Sequence, residues 1–211
     1  MTTFKAEFLH LYLVGGTQNM PAGQSFLASV ETALQAGVTM FQWREKGAES
    51  LQDAAQRREL GQALRALTRR YNVPLVVDDD WRLALDIEAD GIHVGQGDDA
   101  IADVLANAGE LFVGLSVGDE AELARANQVA GLSHIGIGPV FATQTKADAR
   151  PALGVAELAK LVAASELPSV AIGGIDATNV LAVRETGVAG VAVISAILWA
   201  DDVAQAVTNL L

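Results

Sequence analysis

The segment Phe41-Gln42-Trp43-Arg44-Glu45-Lys46 carries an amide and two cations at alternate positions. Side chains alternate along an extended chain, so Gln42, Arg44 and Lys46 share one face and Trp43 takes the other. An arginine fork beside a lysine point charge suits a diphosphate. The plainer alternative pairs Arg44 and Lys46 with Glu45 or with an acidic surface, and packs Trp43 against helices. Further along, Leu75-Val76-Val77 runs into Asp78-Asp79-Asp80. Adjacent carboxylates repel, and a divalent cation is the simplest relief. The stretch His93-Val94-Gly95-Gln96-Gly97-Asp98 brings another carboxylate. If the two segments are neighbouring strands, about 4.8 Å apart, Asp79 and Asp98 can share one ion. Mg2+ fits, because it takes one or two protein carboxylates and completes its shell with phosphates and water. Asp80 reads instead as the N-cap of a helix beginning at Trp81. His93 fits equally well as a hydrogen-bonded interior histidine.

Three later segments extend the pattern. Val113-Gly114-Leu115-Ser116 ends on a serine, with no histidine local to it in the sequence, so a nucleophile is not expected there. Ile135-Gly136-Ile137-Gly138-Pro139 sets two glycines on one face, leaving room for a ligand or a close backbone approach. The connection after it, reaching to about residue 153, is long, and long connections are often functional. Its Thr143, Thr145 and Lys146 can grip a phosphate; as a plain solvated loop they would do nothing. Finally, Ile172-Gly173-Gly174-Ile175 and Val193-Ile194-Ser195-Ala196 put a glycine pair and a turn where backbone N–H groups can hold a phosphate.

These groups need elements to position them. Short runs rich in Val, Ile and Gly predict strands over 9–15, 40–44, 75–78, 91–95, 112–116, 134–138, 169–173 and 190–194. Helical periodicity predicts helices over 25–36, 50–71, 120–129, 155–165 and 202–211. Strands alternating with helices form a parallel sheet, since parallel neighbours need crossover connections. The strand count and the length of 211 residues favour a single (β/α)8 TIM barrel over an open doubly wound sheet, with residues 1–211 as one domain. In such a barrel the chemistry sits where strands end and loops begin, which is where every group above falls.

Composition narrows the partners. A net charge of −12 argues against nucleic acid and anionic membrane surfaces, which require basic patches. No apolar run approaches the ~20 residues of a membrane span, and the N-terminal residues lack a secretion pattern. With no cysteine, the chain has no disulfide or thiolate chemistry, and a cytoplasmic location is expected. Phosphorylated small molecules fit if a few placed cations, backbone N–H groups or a metal attract them. Assembly into a homo-oligomer is compatible with all of this.

In order along the chain, Gln42-x-Arg44-x-Lys46, the acidic end at Asp78-Asp79-Asp80, His93-x-Gly95-Gln96-x-Asp98, Gly114-x-Ser116, Thr143-x-Thr145-Lys146 and Gly173-Gly174-Ile175 resemble the thiamine phosphate synthase family. The resemblance covers nearly the whole chain. It implies a transferase that joins hydroxymethylpyrimidine diphosphate to a thiazole phosphate and releases diphosphate. The diphosphate leaves first, and the thiazole nitrogen attacks the resulting pyrimidine methylene cation. The resemblance further implies that Arg44, Lys46 and Lys146 neutralise the departing diphosphate, with Mg2+ on Asp79 and Asp98. Gln42 and Ser116 would position the pyrimidine. Thr143, Thr145, Gly173, Gly174, Ile194 and Ser195 would hold the thiazole phosphate. Asp78 stands where the family usually has asparagine near the diphosphate, and reads as a substrate-side or supporting metal residue. Gly15-Gly16 replaces the usual polar pair, and Gly118 stands where a histidine is often found. A thiazole tautomerase, a relative on the same barrel, would need that histidine. A non-catalytic, phosphate-binding regulatory barrel is the other alternative.

Overall fold

Eight strands rich in β-branched and aliphatic residues form β1 (Leu11–Gly15), β2 (Met40–Trp43), β3 (Leu75–Asp78), β4 (Gly91–Val94), β5 (Phe112–Val117), β6 (Leu132–Ile137), β7 (Ser169–Ile172) and β8 (Gly190–Val193). All neighbours pair in parallel, and β1 pairs with β8, so the sheet closes into a (β/α)8 barrel. The computed structural model describes residues 2–96, 101–143, 145 and 150–211. Most strand residues are buried because the helical ring covers one face and the barrel core the other. No helix among the described residues is long and apolar enough to cross a membrane.

Capping sets several helix starts. The helices are α1 (Phe26–Ala36), α2 (Ala54–Tyr71), α3 (Trp81–Asp86), α4 (Ile101–Asn107), α5 (Glu120–Ala126), α6 (Gly154–Ala164), α7 (Val180–Arg184), α8 (Ser195–Leu198) and α9 (Val203–Leu210). Ser25, Asp53, Asp80, Asp119 and Asp202 each accept a backbone N–H of the first turn, satisfying a donor that the helix itself leaves open. Asp80 is therefore the cap its position suggested. Residues 50–53 fall outside α2, which starts after its aspartate cap.

The first strand is shorter than 9–15, because Ala6–Leu9 turn into a 3-10 helix. That turn accompanies a plug at the N-terminal mouth of the barrel. Phe4 stacks on His134, with ring centroids 5.3 Å apart and planes 8° from parallel, and lies 5.4 Å from Phe112. The β5–β6 register shifts at Val113/Gly114, where Ser133 is the extra residue of β6 and its hydroxyl donates to the Val113 carbonyl at 2.8 Å.

Two buried polar groups at this end bear on stability. Asp90 is 3% exposed and accepts from Arg65 Nη1 and Nη2, Thr2 Oγ1 and Leu75 N, tying α2, the N-terminal segment and β3 together. Removing one partner of a buried ion pair strands the other charge, so Asp90→Ala should cost about 3–5 kcal/mol in a urea unfolding experiment. His134 is fully buried, and burial pushes its imidazole from 6.5 down to about 3. Between those values the unfolded chain binds a proton that the folded chain refuses. This contribution is therefore complete above pH 6.5 and is lost as pH falls toward 3. His134→Leu should flatten the stability–pH curve between 6.5 and about 5, above the range in which carboxylates titrate.

Candidate active site

Arg44 and Lys46 leave the end of β2 beside the end of β3, and the acids there receive them. Arg44 Nε lies 3.3 Å from Asp78 Oδ2, and Lys46 Nζ pairs with Asp79 Oδ2. Glu45 does not neutralise either cation in these pairings. Its carboxylate accepts from Thr17 N and Oγ1, Trp43 Nε1 and Leu51 N at 2.7–3.0 Å, fastening the loops after β1 and β2. Trp43 packs outward against α2, whose Gly61 has no side chain where the indole lies. Gln42 shares the inward face but sits deeper. It is 4% exposed, donates to the Tyr12 hydroxyl at 2.8 Å and does not line the cavity. Burial raises the Tyr12 pKa far above the usual phenol range, so its hydroxyl stays protonated.

Asp79 adopts φ +60°, a left-handed conformation that aspartate tolerates better than most residues. Its N–H donates to the His93 carbonyl at 2.9 Å, so β4 holds the turn in place. One neighbour was not legible in the sequence. The sequence puts no histidine beside Ser116, but the register pairs His93 with Gly114 and brings His93 Nε2 to 3.0 Å from Ser116 Oγ. Sequence distance hides this neighbour, because parallel strands that touch are separated by a whole helix. Asp98 and Lys146 lie outside the described residues, as do 97–100, 144 and 146–149 generally.

The other wall is built on glycine. A Cβ at Gly138 would overlap the Ile172 carbonyl, so this glycine serves a close β6–β7 approach, and it lines the cavity together with Gly136. Gly173 and Gly174 take φ +105° and +62°, which favour glycine. Their turn receives the loop after β6, through Phe141 N to Gly173 O at 2.9 Å. Thr143 and Thr145 bond to each other through their hydroxyls at 2.9 Å. Ile194 and Ser195, at the start of α8, face the same space. Together these groups line one cavity of about 500 Å3 at the C-terminal ends of the strands.

Among the described residues, no three His, Cys, Asp or Glu side chains cluster as a metal site. Asp79 nonetheless lines the cavity and offers hard carboxylate oxygens beside Lys46, which suits a Mg2+ that draws most of its shell from phosphates and water.

Arg150 and Glu122 escaped the sequence reading, although both line the cavity. Arg150 Nη2 pairs with Glu122 Oε1 at 2.6 Å, and Glu122 Oε2 accepts the Gly118 N–H at 2.7 Å. That carboxylate raises the arginine pKa further. Nothing in the local spacing announces the pair, since Glu122 stands in α5 and Arg150 in the connection before α6. Gly118 has a steric role in it: a Cβ there would sit 2.6 Å from Arg150 Nη1. Gly118→Ala and Arg150→Ala should each cost about 0.5–1 kcal/mol in urea unfolding, because the arginine is half exposed. The double variant should cost no more than either single change; additive losses would show that Gly118 and Arg150 act independently.

Comparison with known proteins agrees with this architecture. The family described as thiamine monophosphate synthase matches residues 11–197. A thiamine-phosphate synthase of Limosilactobacillus fermentum is 50% identical over 99% of this chain and 98% of its own length. One from Leuconostoc citreum is 44% identical over 98% and 97%. Among solved structures, thiamine phosphate pyrophosphorylase from Pyrococcus furiosus superposes with a TM-score of 0.86 at 37% identity, covering 97% of this chain and 95% of that one. The chain belongs to the thiamine monophosphate synthase family.

Proposed function

We propose that the cavity joins hydroxymethylpyrimidine diphosphate to a thiazole phosphate, giving thiamine monophosphate and diphosphate. The observation that supports this reading most is the cavity's two unlike anion-binding walls. One carries Arg44 and Lys46 opposite acids, and the other a left-handed glycine turn beside α8. A diphosphate suits the first wall and a monophosphate the second.

In this reading the methylene C–O bond breaks as the diphosphate departs with its electron pair. The thiazole ring nitrogen then forms the new C–N bond to the methylene cation. Arg44, Lys46 and Lys146 balance the departing charge, and no protein nucleophile is needed. Asp78 and Asp79 hold Arg44 and Lys46 in the substrate-free site, and an arriving diphosphate competes for the same cations. Asp79 and Asp98 are assigned to Mg2+, which when bound adds positive charge at the diphosphate oxygens. Asp78 acts mainly by orienting Arg44 through its Nε. Ser116 positions the pyrimidine from the cavity, and Gln42 supports it from one layer below. Thr143, Thr145, Gly173, Gly174, Ile194 and Ser195 hold the thiazole phosphate. A tautomerase lacks its histidine here, since Gly118 leaves its space to Arg150.

Purified protein given both substrates and Mg2+ should release thiamine monophosphate and diphosphate in equal amounts. Lys46→Ala should lower kcat about 100-fold or more, as for loss of one preorganised electrostatic group, with little change in KM for the thiazole phosphate. Isomerisation of a thiazole without coupling would move the assignment to the tautomerase. Binding of both ligands without turnover would identify a regulatory barrel.

A further inference from the structure

We infer that His93 is a positioning residue that orients the Ser116 hydroxyl toward the pyrimidine substrate. This rests on the reading above that Ser116 touches the pyrimidine.

The argument starts from the hydroxyl. A serine side chain has one donor and two acceptor sites, and its proton rotates to suit whatever lies nearby. A pyrimidine presents ring-nitrogen acceptors and amino donors in fixed directions, so a freely rotating hydroxyl has to be ordered when the substrate binds. A neighbour that occupies one hydrogen-bonding direction in advance removes that freedom. His93 is such a neighbour. Its Nε2 lies 3.0 Å from Ser116 Oγ, and either ring tautomer completes the bond, one by donating and the other by accepting.

The seat of the ring is built for this contact. His93 is 7% exposed and does not line the cavity, while Ser116 does, so the serine gives the ring a route to the substrate. β5 gives up a side chain to make room, and β6 lies against the ring at ordinary contact distance. A Cβ at Gly114 would lie 2.5 Å from His93 Nδ1, and one at Gly136 would lie 3.4 Å from its Cε1. His134 packs behind it, with ring centroids 5.6 Å apart. The imidazole is thus confined on the β5 side, the β6 side and from below, with Nε2 directed at the serine. In the motif Gly114-x-Ser116 the glycine clears room for both the His134 and His93 rings, and Gly136 borders the His93 ring at contact distance.

Steady-state kinetics of His93→Leu, His93→Gln and His93→Asn, each alone and with Ser116→Ala, test the inference. Glutamine carries an amide group about as far from the backbone as Nε2, whereas asparagine reaches only to the level of Nδ1. His93→Leu should lower kcat about 10- to 100-fold, the scale of a small misplacement at a reacting centre, and leave KM for the thiazole phosphate unchanged. His93→Gln should recover most of that loss and His93→Asn little. With Ser116→Ala in place, none of the three should reduce kcat further. Thermal unfolding and a Mg2+ titration of His93→Gln, both matching wild type, would accompany the recovery. The inference is overturned if His93→Leu still lowers kcat in the Ser116→Ala background, if asparagine serves as well as glutamine, or if His93→Leu alone is silent. Wild-type kinetics for Ser116→Ala would instead overturn the underlying assignment of Ser116.

Discussion

Pairing of β1 with β8 closes the sheet, and every other feature of the site depends on that closure. Two strands far apart in sequence become neighbours, no hydrogen-bonding edge stays open, and the strand ends form one ring. Loops leaving that ring converge on a shared space. Arg44 after β2, Asp79 after β3, Ser116 in β5 and Gly173 after β7 line the same cavity for this reason. An open sheet with the same strand ends would spread them along a line.

Charge is distributed against the average of the molecule. The chain carries −12 overall, yet the cavity gathers Arg44, Lys46 and Arg150. Each is met by a carboxylate at Asp78, Asp79 or Glu122. Such pairing keeps a cation ordered without a ligand and prevents the arginines and lysine from repelling one another. On the proposed reading it also makes the cost of binding an anion partly one of exchange, since a phosphate would replace a carboxylate partner. On the same reading, backbone N–H groups near Gly173 and Gly174 would require no such exchange.

Glycine does different work at positions that look alike in the sequence. Gly136 and Gly138 are two residues apart on one strand face, and a single purpose seemed natural. Gly138 lets β6 approach the β7 backbone at Ile172, while at Gly136 a Cβ would make only ordinary contact with His93. Gly118, which first reads as a missing histidine, gives its room to Arg150. In each case the reason is a neighbour supplied by another strand or loop.

The alternation of apolar strands and periodic helices determined a parallel sheet, because parallel strands demand crossovers, and strand count and length favoured its closure into a barrel. The helix start after Asp80 was equally local, since a cap acts within one turn, whereas the periodicity puts the start of α2 three residues ahead of its Asp53 cap. The Arg44–Lys46 spacing and the glycine pair after β7 were legible for the same reason: strand geometry alone sets which side chains share a face. Tertiary structure decided which partner each group meets. It gave Arg44 to Asp78 instead of Glu45, set Gln42 beneath the cavity against Tyr12, placed His93 on Ser116 and set Arg150 over Gly118. Periodicity carries no record of register between strands, and register is what places two side chains within hydrogen-bonding distance across a barrel.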